Sequence, residues 1–432
     1  MFVTTSIVLT LNISHLLFWP VLCFVYLFSF LFSSNFYYNR SISVHQTFTI
    51  IDPVTLFIVF LLFLIMFVSF LNASDFKSFK LISFVFLFLT FFCYEVFTTS
   101  HLFYLYFYYE ASLVPILFII IKWGSYPERS ISALLMLVYT LLFGAPVLLL
   151  IIYLNNIFGS WYYRFYLLST PSLLFSLIVF LCFSVKLPIY GLHYWLPIAH
   201  VEAPTFGSVI LARLLLKLGG VGLYRLSDLM CLLTLKNTVL SYFMIFIVFS
   251  RFVCCYQSDI KRLIAYSSVA HIIVIPFLVV SNNILATQSI VLVIVLHGLR
   301  STLLFIAVGL LYGLYSSRQL VLIRGLILVS PLFRFLVIFI FLFTLSAPPF
   351  PSYVAEVFFI LSRFFLSPYM ILVVFLFAFL GLVYNLNWLR RLLFATRVDI
   401  VYESCLLKFR AFMPIIILFM SLPVVTSMFS ML

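Results

Sequence analysis

Charge is what this sequence has least of. Eleven Asp and Glu and 24 Lys and Arg stand among 432 residues, 8% charged against 66% hydrophobic, where a soluble domain carries roughly 25% charged residues. That shortage excludes a soluble globular body. Walker and dinucleotide glycine loops are absent, which removes those modes of nucleotide binding. The seven cysteines form no C-x-x-C pair and lie mostly in apolar runs, so they read as small packing residues rather than disulfides or metal ligands. The seven histidines lack the spacing of a metal site. No redox cofactor and no metal is expected in this chain itself. Period-two alternation is missing as well, which excludes a membrane barrel.

What fills the chain is apolar runs of bilayer length, and a span without water to satisfy its backbone must be helical. The fold class is therefore all-α, polytopic and membrane-embedded. Runs bounded by charge or by Pro, Asn and Ser clusters place spans at 5–33, 53–72, 78–98, 102–121, 130–153, 171–199, 205–226, 238–256, 262–281, 286–312, 332–362, 369–389 and 411–431, about 13 transmembrane helices. The connections are too short for a separate domain, so residues 1–432 form a single transmembrane domain; "SSRQLVLIRGLILVS" reads as a surface helix or loop. The start shows no cleavable or Arg-rich presequence, and the first helix is expected to serve as its own insertion signal. The net charge of +13 is scattered over loops and helix ends, where it orients the helices; nucleic acid is not an expected partner, and lipid is. The abundance of Phe and Tyr over Gly fits A+T-rich codons and an organelle-type gene.

Two spans are interrupted by proline, at "VKLPIYG" and "LSAPPFPSYVAE". Broken helices in corresponding positions of two halves point to the site of an inverted-repeat transporter. Lys186 stands at the first break and Glu356 just beyond the second. A lysine in hydrocarbon costs about 2.5–3.5 kcal/mol on insertion scales, so Lys186 needs a compensating partner, and Glu110 in "YLYFYYEASLVPILFIII" is the buried acid available. A buried ammonium keeps its proton more readily beside a carboxylate, so a moving carboxylate turns a lysine into a proton carrier. Spacing alone equally allows a static pair that fixes packing.

Lys217 in "LLLKLGGVG" either snorkels to an interface or stays inside, where Gly219, Gly220 and Gly222 allow close helix approach or water entry. His271 and His297 lie in successive helices with Tyr266, Ser267, Ser268 and Ser301 nearby in sequence; they are packing residues or members of a hydrated proton relay. His193, His200 and Glu202 follow the first break and are expected near the membrane surface or at a subunit contact, mainly as structural groups.

The stretches "FYYEASLVPILFIIIKWGSYPERS", "VKLPIYGLHYWLPIAHVEAPTFGSVILARLLLKLGGVGLYR", "DIKRLIAYSSVAH" and "APPFPSYVAEVFF" resemble, in order and spacing, the chain 4 family of antiporter-like subunits in proton-pumping NADH–ubiquinone oxidoreductase, respiratory complex I. The resemblance covers residues 50 to 390, roughly. It implies two inverted five-helix repeats, over 78–226 and 238–389, with a C-terminal helix at 411–431. It also implies proton transfer along Glu110, Lys186, Lys217, His271, His297 and Glu356. By the same resemblance FMN, iron–sulfur clusters and ubiquinone belong to other subunits, the partners are the other membrane-arm subunits, especially neighbouring antiporter-like ones, and the location is the mitochondrial inner membrane, with a plastid or bacterial membrane as the alternative. A subunit of a multisubunit cation/proton antiporter and a structural spacer are the alternatives.

The chain departs from that pattern in places. Relatives usually have one more helix at the amino end. His101 stands where many carry a second Glu, and the segment after "LLYGLYSSR" lacks their Glu-x-x-His. Arg213 and Arg300 replace small or neutral residues, and Arg213 shares a helix face with Lys217 at i, i+4, where like charges repel.

Overall fold

The computed structural model describes residues 45–46, 49–50, 53–73, 78–159, 161–162, 173–189, 191–227, 236–281, 283–323, 331–348, 350–364, 368–394, 414–419 and 421–423. Apart from a two-residue antiparallel ladder, β1 (His45–Gln46) with β2 (Thr49–Ile50), the regular structure there is helical. The sixteen helices labelled here begin with α1 Pro53–Ala73, α2 Phe79–Thr98, α3 Leu102–Ala111, α4 Leu113–Trp123, α5 Arg129–Phe158, α6 Leu173–Lys186, α7 Trp195–Glu202 and α8 Thr205–Ile210. A π-turn, Leu211–Leu215, joins α8 to α9 Leu216–Leu226. Then follow α10 Lys236–Cys255, α11 Ile260–Ile272, α12 Val274–Ser281, α13 Ile284–Tyr315, α14 Pro331–Thr344, α15 Pro351–Phe364 and α16 Pro368–Phe394.

Among the described residues seven helices are long and apolar enough to cross a membrane, counting α3–α4, α8–α9 and α11–α12 each as one; shorter apolar helices accompany them. The expected span at 5–33 lies outside the described residues, and that at 411–431 is described only at 414–419 and 421–423. Of the stretch expected as a surface helix or loop, residues 316–323 form turns bridged from Gln319 to Asp259, and 324–330 lie outside the description. Helix α5 runs to Phe158, beyond the expected end of its span at 153.

Proline sets several of the boundaries. It opens α1, α14, α15 and α16, where its missing N–H is no loss and its fixed φ suits the first turn. Pro115 and Pro276 instead fall inside expected spans, and each ring collides with the carbonyl four residues back. The breaks come one residue later, at Ser112 between α3 and α4 and at Ile273 between α11 and α12.

Burial runs opposite to that of a soluble protein. Helices α8–α9, α11–α12 and α13 are almost wholly enclosed, while α5 and α16 turn Leu134, Leu142, Leu149, Phe375 and Phe379 outward. An apolar exterior is what a helix needs toward lipid or a neighbouring membrane subunit. Helix α13 is the axis of the second half, packed on α8, α11, α12 and α15, and α9 packs on α6.

The α6–α9 contact depends on glycine. A Cβ at Gly222 would sit 2.2 Å from the Phe183 ring, and one at Gly219 would sit 3.0 Å from the Phe183 carbonyl. These glycines serve the close approach read from the sequence. Gly222→Ala is expected to force Phe183 aside and destabilise this contact by about 1–3 kcal/mol, read as a lower melting temperature of the purified assembly; an unchanged melting curve would show that the packing is looser.

Candidate functional site

The first break is built around a released backbone. Helix α6 stops at Lys186 because Pro188 has no N–H, and Ile189 N donates to the Ser184 carbonyl in its place (3.3 Å). The Trp195 indole then closes the Val185 carbonyl (3.1 Å). Lys186, 1% exposed, is thereby held at the helix end and points toward α3. Its Nζ donates to the Tyr109 carbonyl at 2.9 Å, lies over the Tyr109 ring and stands 3.9 Å from Glu110 Oε1. The Tyr109 carbonyl is available because α3 ends here, and it also accepts from Ser112 Oγ (2.8 Å).

Glu110 is therefore beside Lys186 without a hydrogen bond to it, and neither carboxylate oxygen accepts a hydrogen bond. Gly144 of α5 makes the room: a Cβ there would come 3.0 Å from Oε1. The pair is close enough for strong attraction in a low-dielectric setting, yet no hydrogen bond locks the carboxylate in place.

The second group centres on the π-turn. Lys217 is 5% exposed and does not snorkel outward. Its Nζ lies 2.6 Å from His297 Nδ1 and 3.3 Å from the Ala212 carbonyl, which belongs to the π-turn. Such turns loosen the i→i−4 ladder and frequently mark functional positions. His297 Nε2 has no partner, and the His271 ring centroid is 6.4 Å away.

His271 is flanked by cations. Arg251 Nη2 is 2.7 Å from its Nε2, and Arg300 Nη1 is 3.3 Å from its Nδ1. Arg251 also donates to the Tyr384 hydroxyl (2.9 Å) and stacks over Phe377. Unit charges about 6 Å apart repel by roughly 3 kcal/mol at an effective dielectric near 20. Among the described residues only two ion pairs form, Lys186–Glu110 and Arg262–Asp259, so no carboxylate pairs with either arginine there.

Glu356 sits half-buried on α15 and accepts from Ser346 Oγ (2.7 Å). Ser346, at φ 54, is part of the turn after α14. The structure thus brings the six expected residues into three places: Glu110 with Lys186, Lys217 with His297 and His271, and Glu356 with Ser346. No hydrogen bond or ion pair among the described residues joins these places.

His193, His200 and Glu202 are buried within the chain, with His200 stacked on Phe305 and both its ring nitrogens unpartnered. Lys261 is also buried, donating to the carbonyls of Val201 (3.3 Å) and Ala203 (2.9 Å) at the end of α7. That anchor pulls the "HVEA" stretch inward.

Residues 99–381, a span containing all six expected site residues, match the sequence model of the family described as NADH:quinone oxidoreductase/Mrp antiporter, TM. The chain belongs to this family. It is 37% identical over 294 residues to NADH-ubiquinone oxidoreductase chain 4 of Locusta migratoria, covering 67% of this chain and 66% of that one. With the Artemia franciscana protein of the same description it shares 36% over 271 residues, 63% and 69% of the two chains. The chain thus spans about two thirds of the length of these relatives. Its fold is like that of a chain in respiratory complex I from Thermus thermophilus with bound NADH, at TM-score 0.85 and 19% identity, over 97% of this chain and 92% of that one.

Within this antiporter-like membrane fold, sequence reading passed over Tyr109, Arg251 and Tyr384. A lone arginine in the apolar run "FIVFSRFVCC" was the available signal for Arg251; the carbonyl of Tyr109 carries no sequence signal at all. Gly144→Ala is expected to displace the Glu110 carboxylate and lengthen its separation from Lys186 Nζ beyond 4 Å, as seen in a high-resolution map. An unmoved carboxylate would show that the space beside it is slack.

Proposed function

We propose that this chain is a proton-translocating membrane subunit of an NADH:ubiquinone oxidoreductase, coupling quinone reduction elsewhere in the complex to proton transfer along a buried axis. The observation that carries the reading is the Lys217–His297 contact of 2.6 Å, a proton-transfer distance between two titratable groups sealed from solvent. In this reading Glu110 and Lys186 form a switchable pair. When the carboxylate withdraws, the Lys186 ammonium keeps the Tyr109 carbonyl and ring and passes its proton toward Lys217. Lys217 Nζ hands a proton to His297 Nδ1. Onward transfer to His271 spans separated rings and runs through bridging water. Glu356, with Ser346 on one oxygen, serves the exit side.

The architecture that suits this role has two inverted five-helix repeats, 78–226 and 238–389, and a C-terminal helix at 411–431, about thirteen crossings in one transmembrane domain. The setting is the mitochondrial inner membrane, with neighbouring antiporter-like subunits as partners and FMN, iron–sulfur clusters and ubiquinone in other subunits. Each charge moved against the membrane potential costs about 2.3 kcal/mol per 100 mV, which quinone reduction supplies.

The family description also includes Mrp antiporters, so an antiporter subunit is the second reading. Co-purification with flavin and iron–sulfur subunits decides for the oxidoreductase, and their absence for the antiporter. In reconstituted vesicles Lys217→Ala is expected to lower protons moved per electron at unchanged assembly; an unaltered ratio removes Lys217 from the path. Glu110→Gln, which keeps the shape and removes the charge, is expected to slow transport about 100-fold, the lower end of the range for a lost proton-transfer group; a full transport rate would make the Glu110–Lys186 pair a packing element only.

A further inference from the structure

The surroundings of His271 hold more donors than acceptors. Helix α10 supplies Arg251, α11 supplies His271, α13 supplies Arg300 and α16 supplies Tyr384. Helix α16 is shaped for the guanidinium: Phe377, Gly381 and Tyr384 share one face, with Phe377 and Tyr384 stacking on it. A Cβ at Gly381 would come 2.6 Å from Arg251 Nη1. Arg251 is 3% exposed and Arg300 7%, so both are inside the protein.

A neutral imidazole has one lone pair in its ring plane. Two guanidinium groups nevertheless approach His271, Arg251 Nη2 at 2.7 Å from Nε2 and Arg300 Nη1 at 3.3 Å from Nδ1. At one of these contacts a donor meets a donor, whichever tautomer is present. Arg251 Nε is buried with no partner. The Tyr384 oxygen accepts from Arg251, which leaves its own O–H proton to donate elsewhere. Ring stacking offsets part of the Arg251 charge; no ring covers Arg300 among the described residues.

Among the described residues, acceptors of opposite charge are missing. No carboxylate of the described residues lies within ion-pair distance of either arginine, and Glu356 Oε1 is taken by Ser346. Even with the Glu356 charge counted, Arg251 and Arg300 leave one positive charge unbalanced, and Arg213 and Lys217, also buried, add to it. A buried charge of this kind persists when a partner neutralises it.

The geometry points to a binding site for one small monovalent inorganic anion, chloride or a related halide, between Arg251 and Arg300 beside His271, with the Tyr384 hydroxyl as a neutral donor. The size follows from enclosure: of the two arginines and the histidine, His271 at 8% exposure is the most open, so the group is out of reach of a lipid headgroup. One anion removes the local excess charge and gives the free N–H and O–H groups an acceptor. The binding claim rests on these side chains and not on the transport reading, because it is read without NADH.

The test is equilibrium binding of radiolabelled chloride to the purified complex containing this chain, against gluconate, for wild type and Arg300→Thr. Wild type is expected to hold one saturable chloride more per complex than the variant, and bromide to displace it. Tyr384→Phe, which keeps both cations, is expected to weaken binding several-fold and covers the case in which Arg300→Thr fails to assemble. Equal chloride binding in wild type and the assembled variants overturns the proposal. So does a high-resolution map with water or the Glu356 carboxylate between the two guanidinium groups.

Discussion

A backbone carbonyl released from its helix inside hydrocarbon has no water to turn to, and the breaks in this chain are arranged around that constraint. At the first break the Trp195 indole takes the Val185 carbonyl, and Lys186 takes that of Tyr109. Lys261 takes those of Val201 and Ala203, and Ser352 Oγ takes that of Phe343 at the second break. The same groups that make the breaks tolerable are therefore the polar groups of the interior. A lysine needed for backbone closure is already in place, desolvated and close to a carboxylate, before any role in transport is assigned to it.

Buried charge is handled differently at the first break and around α13. Around the first break one ammonium faces one carboxylate across 3.9 Å, and Gly144 keeps the carboxylate from being crowded. Around α13 the polar residues are Lys217, His297, His271, Arg251 and Arg300, with carbonyls, rings and a tyrosine hydroxyl as their protein partners. Arginine stays protonated under all ordinary conditions, so these two positions supply fixed charge where a lysine or histidine would supply a mobile proton. The surroundings of α13 are thus electrostatically dominated by groups that do not titrate, and the histidines between them work in the field those groups set.

Much of the helical architecture was legible because its signals are local. Apolar run length, proline and flanking charge act within one or two turns, which is why the enclosed helices from 205 to 315 and the breaks beside Lys186 and Glu356 could be read off the chain. Proline also explains what was read too simply. Pro115 and Pro276 sit inside continuous apolar runs, and the steric clash that divides each helix leaves mean hydropathy untouched. Burial of His193, His200, Glu202 and Lys261 was not legible, since a polar residue beside a loop can face either way until its neighbours are placed.

By itself the sequence determined that this is a helical membrane protein of the NADH:quinone oxidoreductase/Mrp antiporter family, and which few ionisable residues lie in apolar surroundings. Tertiary structure alone decided their company. It set Glu110 against Lys186 with Gly144 as the space between α3 and α5, brought Lys217 to His297 through a π-turn, and closed Arg251 and Arg300 on His271 from two different helices. The physical reason is range: hydropathy and proline sterics act along the chain, whereas a charge acts through space on whatever helix packing places beside it.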